Sequence, residues 1–283
     1  MHTVNVKVLM ASTMCSPTQC YRYKDKITII TGGSSGIGRG CVEVFVKHGS
    51  KVVFCSNAPE EGRAVEAEMN KIGECYFIPC DVTQEKEIEN VVQQTVEKYG
   101  RIDCLINNAG IHPPSLPIDE FSGDGFRKLL DINVVGYFLF AKHALPYLRK
   151  TAGNIINTSS LVAQMAQSMA VTYVATKGAI TAFTKALAID EAKYNVRVNS
   201  FSPGNVWTPL WEHFLKDYSE TDRKKIEDDG KNASVLGRFG TPEECGLTCL
   251  YLAADATFCT GVDINLSGGA ELGYGIKAAN ALV

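Results

Sequence analysis

Short apolar runs alternate with longer amphipathic segments along most of the chain. The apolar runs are continuous and rich in β-branched and aromatic residues, which is typical of strands buried on both faces. The longer segments repeat apolar residues at helical spacing, as where Val42, Phe45 and Val46 share one face. The predicted strands are 26–31, 51–56, 75–80, 103–110, 153–160, 196–203 and 261–266. The predicted helices between them are 36–49, 59–73, 85–100, 125–150, 171–192 and 241–255.

This alternation predicts a single α/β domain of the doubly wound class, in which helices cover both faces of a seven-stranded parallel sheet. We expect residues 23–283 to form that domain. Residues 1–22 contain one lysine, one arginine and no acidic residue, and predict a disordered tail, although such a composition is also typical of organelle-targeting segments. Residues 207–240 break the alternation and predict one long irregular insertion, which is more often functional than structural.

Composition narrows the classes of protein to consider. The chain has 283 residues, of which 45% are hydrophobic and 21% charged, with a net charge of -3. We expect no nucleic-acid partner and no membrane span, because charges of both signs are mixed and no apolar run approaches roughly 20 residues. The ten cysteines include no C-x-x-C pair and predict reduced thiols in a cytoplasmic protein. The histidines are scattered, so we expect no metal site.

The segment TIITGGSSGIGRG joins the first strand to the first helix. Its glycines Gly32, Gly36 and Gly38 fit a turn that lets a nucleotide phosphate reach main-chain N–H groups at the start of a helix. They also fit an elbow that presents Ser34 as a nucleophile, or a plain turn that needs positive φ. The elbow is disfavoured because only one strand precedes it and no histidine follows His213. The phosphate turn and the plain turn both remain open on this segment alone.

A second signal is the segment YVATK, which places Tyr173 and Lys177 on one face of a predicted helix. A phenol has a pKa of about 10 and is a poor base at neutral pH, but a nearby cation favours the phenolate. Lowering that pKa to about 7 requires roughly 4 kcal/mol, which one lysine and a second positive charge can supply in a desolvated cleft. The alternative for this pair is an exposed structural contact.

Six motifs together resemble the short-chain dehydrogenase/reductase family, in the family's order and over nearly all of the chain after Tyr23. They are TGGSSGIG, NNAG at 107–110, Asn133 in INVVG, Ser160 in NTSS, YVATK, and PGNVWTP at 203–209. The spacing also matches, since Ser160 lies 27 residues after Asn133 and 13 before the tyrosine of YVATK. The resemblance implies a Rossmann fold and a nicotinamide-dependent oxidoreductase. Further segments, such as ALPYLRK and SPGNVWTPLWE, most resemble the 17β-hydroxysteroid dehydrogenases of this family.

The resemblance implies a catalytic set of Asn133, Ser160, Tyr173 and Lys177. Tyr173 exchanges a proton with the substrate, Lys177 lowers the pKa of Tyr173 and holds the ribose, Ser160 bonds the reacting oxygen, and Asn133 places a water. The implied cofactor-binding residues are Gly32, Ser35, Gly36, Ile37, Gly38, Ser56, Asp81, Val82, Asn107, Gly110, Tyr173, Lys177, Val206 and Thr208. Ser56 stands where NAD-binding proteins usually carry a carboxylate. We expect NAD as the cofactor, with NADP left open.

The substrate is expected to lie over Tyr173. The predicted lining is His112, Gln167, Trp207, Trp211 and Tyr274, with Phe214 nearby. This set describes an apolar slot with polar ends, which favours a flat secondary alcohol. The resemblance implies a steroid such as estradiol, oxidised at its 17β-hydroxyl. The alternative is an aldose such as L-fucose, bound through His112 and Gln167 and oxidised at its anomeric hydroxyl. A more remote alternative is a dinucleotide-binding protein without catalysis.

The predicted helices 125–150 and 171–192 carry apolar residues on more than one face. Such helices usually pack against something besides their own sheet. Because helices at these positions pair across two-fold axes in the family, the resemblance implies a homotetramer.

Overall fold

The computed structural model describes residues 21–272. Seven strands form one sheet with every neighbouring pair parallel. The strands are β1 Ile27–Thr31, β2 Lys51–Ser56, β3 Cys75–Pro79, β4 Cys104–Asn107, β5 Asn154–Thr158, β6 Arg197–Pro203 and β7 Asp263–Leu266. Their order across the sheet is β3-β2-β1-β4-β5-β6-β7. The predicted seven-stranded doubly wound fold is therefore confirmed.

Helices connect the strands and cover both faces of the sheet. They are α1 Gly36–Lys47, α2 Pro59–Met69, α3 Glu85–Tyr99, α4 Gly123–Leu130, α5 Gly136–Thr151, α6 Val162–Met165, α7 Val171–Glu191, α8 Pro209–Leu215, α9 Glu220–Asn232 and α10 Pro242–Leu250. Short 3₁₀ turns occur at Ile118–Glu120, Ala192–Tyr194 and Ala270–Leu272, and π-helical turns at Asp131–Val135 and Tyr251–Asp255. The predicted helix 125–150 is thus two α-helices joined by a π-helical turn.

The central strands β1, β4 and β5 are buried throughout because each one contacts a helical layer on both faces. Ile29 and Val53 pack with residues of α3, α5 and α7. Their neighbours Ile30 and Phe54 pack with residues of α1, α2 and α10 on the opposite face. All four side chains are fully buried. Successive strand residues point to opposite faces, so a continuous apolar run is what a doubly covered sheet requires.

The prediction that residues 207–240 are irregular is wrong, because this segment contains α8 and α9. Helix α8 begins at Pro209, where proline is favoured since the missing N–H has no partner in a first helical turn. Helix α9 begins after Ser219, whose hydroxyl accepts a hydrogen bond from the N–H of Asp222. Polar residues dominate α9, so the sequence offers no apolar stripe that would reveal it as a helix.

Most of the predicted N-terminal tail lies outside the described residues. Arg22, near the end of that predicted tail, forms an ion pair with Asp255. The eight cysteines within the described chain are free thiols. None of the helices built by residues 21–272 has both the length and the apolar character of a membrane span.

The order of the strands fixes where a ligand can enter. From β1 the chain proceeds to β2 and β3 on one side, and then returns to β4, β5, β6 and β7 on the other side. The loops after β1 and β4 therefore diverge and leave a crevice at the carboxyl ends of the strands, where ligands bind in open α/β sheets.

Candidate active site

The crevice contains a cavity of about 370 Å³. Its lining includes many of the predicted site residues, namely Gly32, Ser35, Gly36, Ile37, Ser56, Asp81, Val82, Gly110, His112, Tyr173, Lys177 and Thr208. Sequence reasoning missed several further lining residues, among them Asn57, Asn108, Ile111, Ile132, Thr158 and Leu210. A larger cavity of about 710 Å³ lies elsewhere, and none of the predicted site residues lines it. The chemical groups therefore converge on the smaller cavity.

The glycine-rich turn has the geometry that an approaching phosphate needs. Gly32 and Gly36 have φ values of 67° and 53°, which disfavour any side chain. A Cβ at Gly38 would lie 2.1 Å from the carbonyl oxygen of Gly32, so only glycine fits there. Ser35, at the N-terminus of α1, makes no side-chain capping bond. The first N–H groups of α1 therefore stay available to an anion in the cavity.

The other end of the cavity is formed by the ends of β2 and β3. The Ser56 hydroxyl donates to the Ala58 carbonyl at 3.3 Å and accepts from the Ala58 N–H at 3.2 Å. The Asp81 carboxylate accepts hydrogen bonds from the N–H and hydroxyl of Thr83. Among the described lining residues, Lys177 is the only lysine or arginine. This end consequently fits a neutral ribose better than a 2′-phosphate.

Two neighbouring asparagines in the NNAG motif have different positions. Asn107 is fully buried, and its amide nitrogen donates to the Asn157 side chain at 3.0 Å. Asn108 lines the cavity, where its main-chain N–H donates to the Thr31 hydroxyl and its side chain donates to the Thr31 carbonyl. The cavity side chain is thus that of Asn108, because successive residues at the end of a strand point to opposite faces.

Val206 is also buried rather than exposed to the cavity. Its exposed fraction is 5%, and it forms an isolated parallel bridge with Gly240. Thr208, two residues later, does line the cavity.

Of the four predicted catalytic residues, Tyr173 and Lys177 line the cavity, whereas Ser160 and Asn133 do not. Burial of the phenol raises the pKa of Tyr173 to about 12, and a hydrogen bond with Ser160 partly opposes this shift. Burial also lowers the pKa of Lys177 to about 8. The lowering of the Tyr173 pKa by Lys177 stays a prediction. The ammonium of Lys177 donates to the Thr158 carbonyl at 2.9 Å and lies 5.8 Å from the centre of the Tyr173 ring.

Asn133 lies in the π-helical turn between α4 and α5 and is fully buried. Its side chain bonds both main-chain groups of Ile111, each at 2.9 Å, and donates to the Thr176 hydroxyl at 3.2 Å. Asn133 therefore connects the loop after β4 with the helix that carries Tyr173 and Lys177. Turns of π-helix are frequent at functional sites, but nothing in the sequence pattern revealed this one.

The predicted substrate residues are only partly brought together. The ring of His112 lies against that of Tyr173, with 4.2 Å between centroids. Gln167 is exposed and does not line the cavity. Its loop is bounded by Ala166 and Met169, two non-glycine residues with positive φ. Tyr274 lies outside the described residues.

The two tryptophans form an aromatic cluster instead of an apolar slot. The rings of Trp207 and Trp211 lie 5.1 Å and 5.0 Å from that of Phe239. Phe214 contacts Trp211 at 6.1 Å between ring centres. None of these aromatic residues lines the cavity. They pack α8 against the segment before α10, which is the structural role that tryptophans often have near loops.

A family model described as enoyl-(acyl carrier protein) reductase matches residues 32–271. The chain belongs to the short-chain dehydrogenase/reductase family. Among its relatives, this short-chain dehydrogenase is 51% identical to L-fucose dehydrogenase of Rattus norvegicus over 260 residues, which cover 92% of this chain and 94% of the relative. It is 50% identical to L-fucose dehydrogenase of Bos taurus over 260 residues, which cover 92% of this chain and 94% of that relative.

Solved structures of other family members have the same fold. The aldohexose dehydrogenase of Thermoplasma acidophilum matches this short-chain dehydrogenase with a TM-score of 0.81 at 30% identity, covering 89% of this chain and 96% of that one. The expected resemblance to 17β-hydroxysteroid dehydrogenase, type 14 in particular, is corrected by these comparisons. The two relatives named above are L-fucose dehydrogenases.

Proposed function

We propose that this protein is an NAD-dependent dehydrogenase that oxidises the anomeric hydroxyl of L-fucose or a similar aldose. The observation that carries the proposal is the 51% identity with an L-fucose dehydrogenase across 92% of the chain. The cleft supports the same choice, because the polar ring of His112 lies beside Tyr173. A steroid would need an apolar slot, and Trp207 and Trp211 pack on Phe239 instead.

The residues that line the crevice fit NAD. The N–H groups at the start of α1 would hold the pyrophosphate, and Ser56, Asp81 and Val82 would surround the adenosine. Lys177 and Thr208, which also line the cavity, would bind the nicotinamide half. When bound, NAD⁺ supplies the acceptor for a hydride and a positive charge close to the reacting atoms.

In the proposed reaction, Tyr173 removes the proton of the anomeric hydroxyl, and Ser160 donates a hydrogen bond to the same oxygen. The hydride of the C1–H bond would pass to NAD⁺, which Lys177 and Thr208 would help to hold. The C1–O bond becomes the carbonyl of a lactone. The sugar thus loses one proton and one hydride, which equals a two-electron oxidation. Lys177 stabilises the phenolate form of Tyr173.

This mechanism implies that turnover increases with pH. Burial places the pKa of Tyr173 at about 12, so the phenol needs nearby positive charge to ionise near neutral pH. Lys177 supplies one such charge, and a bound oxidised nicotinamide supplies a second. We expect kcat for oxidation to rise from neutral pH to about pH 8, where Lys177 begins to lose its charge.

The test is a parallel assay of NADH formation on L-fucose and on estradiol with purified protein. We expect turnover on L-fucose, and turnover on estradiol alone would contradict the proposal. Tyr173→Phe should reduce kcat by at least about 10²-fold, because proton transfer is lost. Ser34→Ala is the control and should have little effect, since the proposal gives Ser34 no nucleophilic role. NAD binding without turnover on any aldose or steroid would support the non-catalytic alternative.

We also propose that the chain forms a homotetramer. Phe138 on α5 is 51% exposed, and Val171 and Ile189 on α7 are 53% and 78% exposed. Apolar side chains on these two long helices are suited to contact with other copies. Light scattering should give four times the chain mass of 30.8 kDa. A monomer at micromolar concentration would contradict this proposal.

A further inference from the structure

The ammonium of Lys177 lies between two tyrosine rings. Its nitrogen is 5.8 Å from the centre of the Tyr173 ring and 5.7 Å from that of Tyr137. Tyr137 belongs to the first turn of α5 and is only 2% exposed. The mechanism proposed above uses Tyr173 and leaves Tyr137 without a role.

Tyr137 and Lys177 share one hydrogen-bond acceptor. The Lys177 ammonium donates to the Thr158 carbonyl oxygen at 2.9 Å, and the Tyr137 hydroxyl donates to the same oxygen at 3.3 Å. Within residues 21–272, this carbonyl is the one acceptor that bonds the Lys177 nitrogen. A carbonyl with two donors holds each of them less firmly than a carbonyl with one, because both draw on the same oxygen charge.

We propose that Tyr137 is a positioning residue that weakens the hold of the Thr158 carbonyl on Lys177. The ammonium can then turn from Thr158 toward Tyr173 and the cofactor during the reaction. This inference rests on the proposed function for its kinetic consequence only. The competition between the two donors is a property of the chain itself.

The surroundings of Lys177 allow this competition to be measured. In the described part of the chain, the titratable groups whose rings lie near the ammonium are Tyr137 from α5 and Tyr173 from α7, and the ring of His112 lies against that of Tyr173. Asn133 and Thr176, which bond each other close by, are uncharged. Removing the Tyr137 hydroxyl removes a positive hydrogen from beside the ammonium and leaves the carbonyl to Lys177 alone. Both changes favour the charged form of Lys177.

The experiment is an NMR titration of ¹³Cε-labelled lysine in the full chain, with the Lys177 signal assigned by its loss in Lys177→Met. Tyr137→Phe keeps the ring and removes the hydroxyl. We expect the pKa of Lys177 to rise by about 0.5 to 1 unit, which is the size of a shift that one weak hydrogen bond produces. Tyr147→Phe, on the same helix with its ring 5.2 Å from Lys150, is the matched control and should leave the Lys177 titration unchanged.

The kinetic readout is kcat for L-fucose at neutral pH. In Tyr137→Phe we expect kcat to fall about threefold to tenfold, which is the factor that a rise of about 0.5 to 1 in the Lys177 pKa represents. The KM for the sugar should not change. An unchanged Lys177 titration in folded Tyr137→Phe overturns the inference, whatever the kinetics. If wild type has no activity on L-fucose, the proposed function fails, but the titration still decides the inference. If Tyr137→Phe does not fold, Tyr137→Met is titrated and judged in the same way.

Discussion

The imidazole of His112 lies beside the phenol of Tyr173, with 4.2 Å between ring centres and 45° between ring planes. Nδ1 of His112 lies 2.6 Å from the Pro113 carbonyl oxygen. Because a carbonyl can only accept, Nδ1 carries a hydrogen and Nε2 of a neutral imidazole is left as an acceptor. The cleft therefore has a polar atom next to the group that is proposed to transfer the proton.

Replacing His112 by phenylalanine tests whether this atom contributes to sugar recognition. The ring contact with Tyr173 is retained in His112→Phe, but a hydrogen bond to a sugar hydroxyl is lost. We expect kcat/KM for L-fucose to fall about tenfold or more, because one unpaired polar group costs on the order of 1–3 kcal/mol. His213→Phe, at an exposed position of α8, is the control. Equal kcat/KM values in the two variants would remove His112 from the substrate site.

The phosphate turn gives a second prediction. In Gly38→Ala, the new Cβ would meet the Gly32 carbonyl oxygen at 2.1 Å, so the turn or the start of α1 must move. We expect NAD affinity to fall by at least about tenfold and the free energy of unfolding to fall by about 1–3 kcal/mol. Calorimetric titration and thermal unfolding measure the two effects. In Gly123→Ala, the nearest atom would be Arg127 Nη1 at 3.6 Å, and both quantities should match wild type.

The sequence predicted the sheet well because a doubly covered parallel strand has a simple signature. β2 has four consecutive apolar residues before Ser56, and β5 has Ile155 and Ile156 before Asn157 and Thr158, so both strands end in polar residues at the edge where the cleft lies. The resemblance likewise implied that Tyr173 and Lys177 share one site, and both line the cavity. Both results depend on order along the chain, which the sequence contains directly.

What escaped prediction depends on contacts between distant segments. The sequence could not tell that Asn107 points to β5 while Asn108 points to the cavity, because that depends on the register of the sheet. Trp207 and Trp211 resembled a substrate slot, but Phe239 lies close enough in space to pack with both. The choice between core and cleft is made by tertiary packing and not by residue type.

Cofactor preference follows from the end of β2. Within residues 21–272, the Ser56 hydroxyl bonds only the main chain of Ala58, and it offers no negative charge against a 2′-phosphate. In Ser56→Asp we expect the ratio of kcat/KM for NAD⁺ over NADP⁺ to rise about tenfold or more, since a carboxylate bonds the ribose and repels the phosphate. Ser34→Ala in the same cavity is the control and should keep the wild-type ratio. An unchanged ratio in Ser56→Asp would place the ribose elsewhere.

Lys177 predicts a pH-dependent difference in stability. Its ordinary pKa of 10.5 falls to about 8 in the folded chain because the ammonium is buried. Between these two values the unfolded chain binds more protons, so this group contributes stability as pH rises from 8 to 10.5. Below pH 8 Lys177 is charged in both the folded and the unfolded chain, and burial of this charge then lowers the free energy of unfolding by at most about 3 kcal/mol.

Lys177→Met removes that cost while the Tyr137 hydroxyl still bonds the Thr158 carbonyl. At pH 7 we expect the variant to have a higher Tm than wild type, although it should be inactive. The difference should shrink as the pH rises toward 10.5. Lys185→Met, on the exposed side of α7, should give a Tm difference that does not depend on pH in this way. The measurement is the Tm of the three proteins by thermal unfolding from pH 7 to 10.5. A Tm difference between wild type and Lys177→Met that stays constant over this range would contradict the prediction, because it would mean that burial of the ammonium does not destabilise the folded chain.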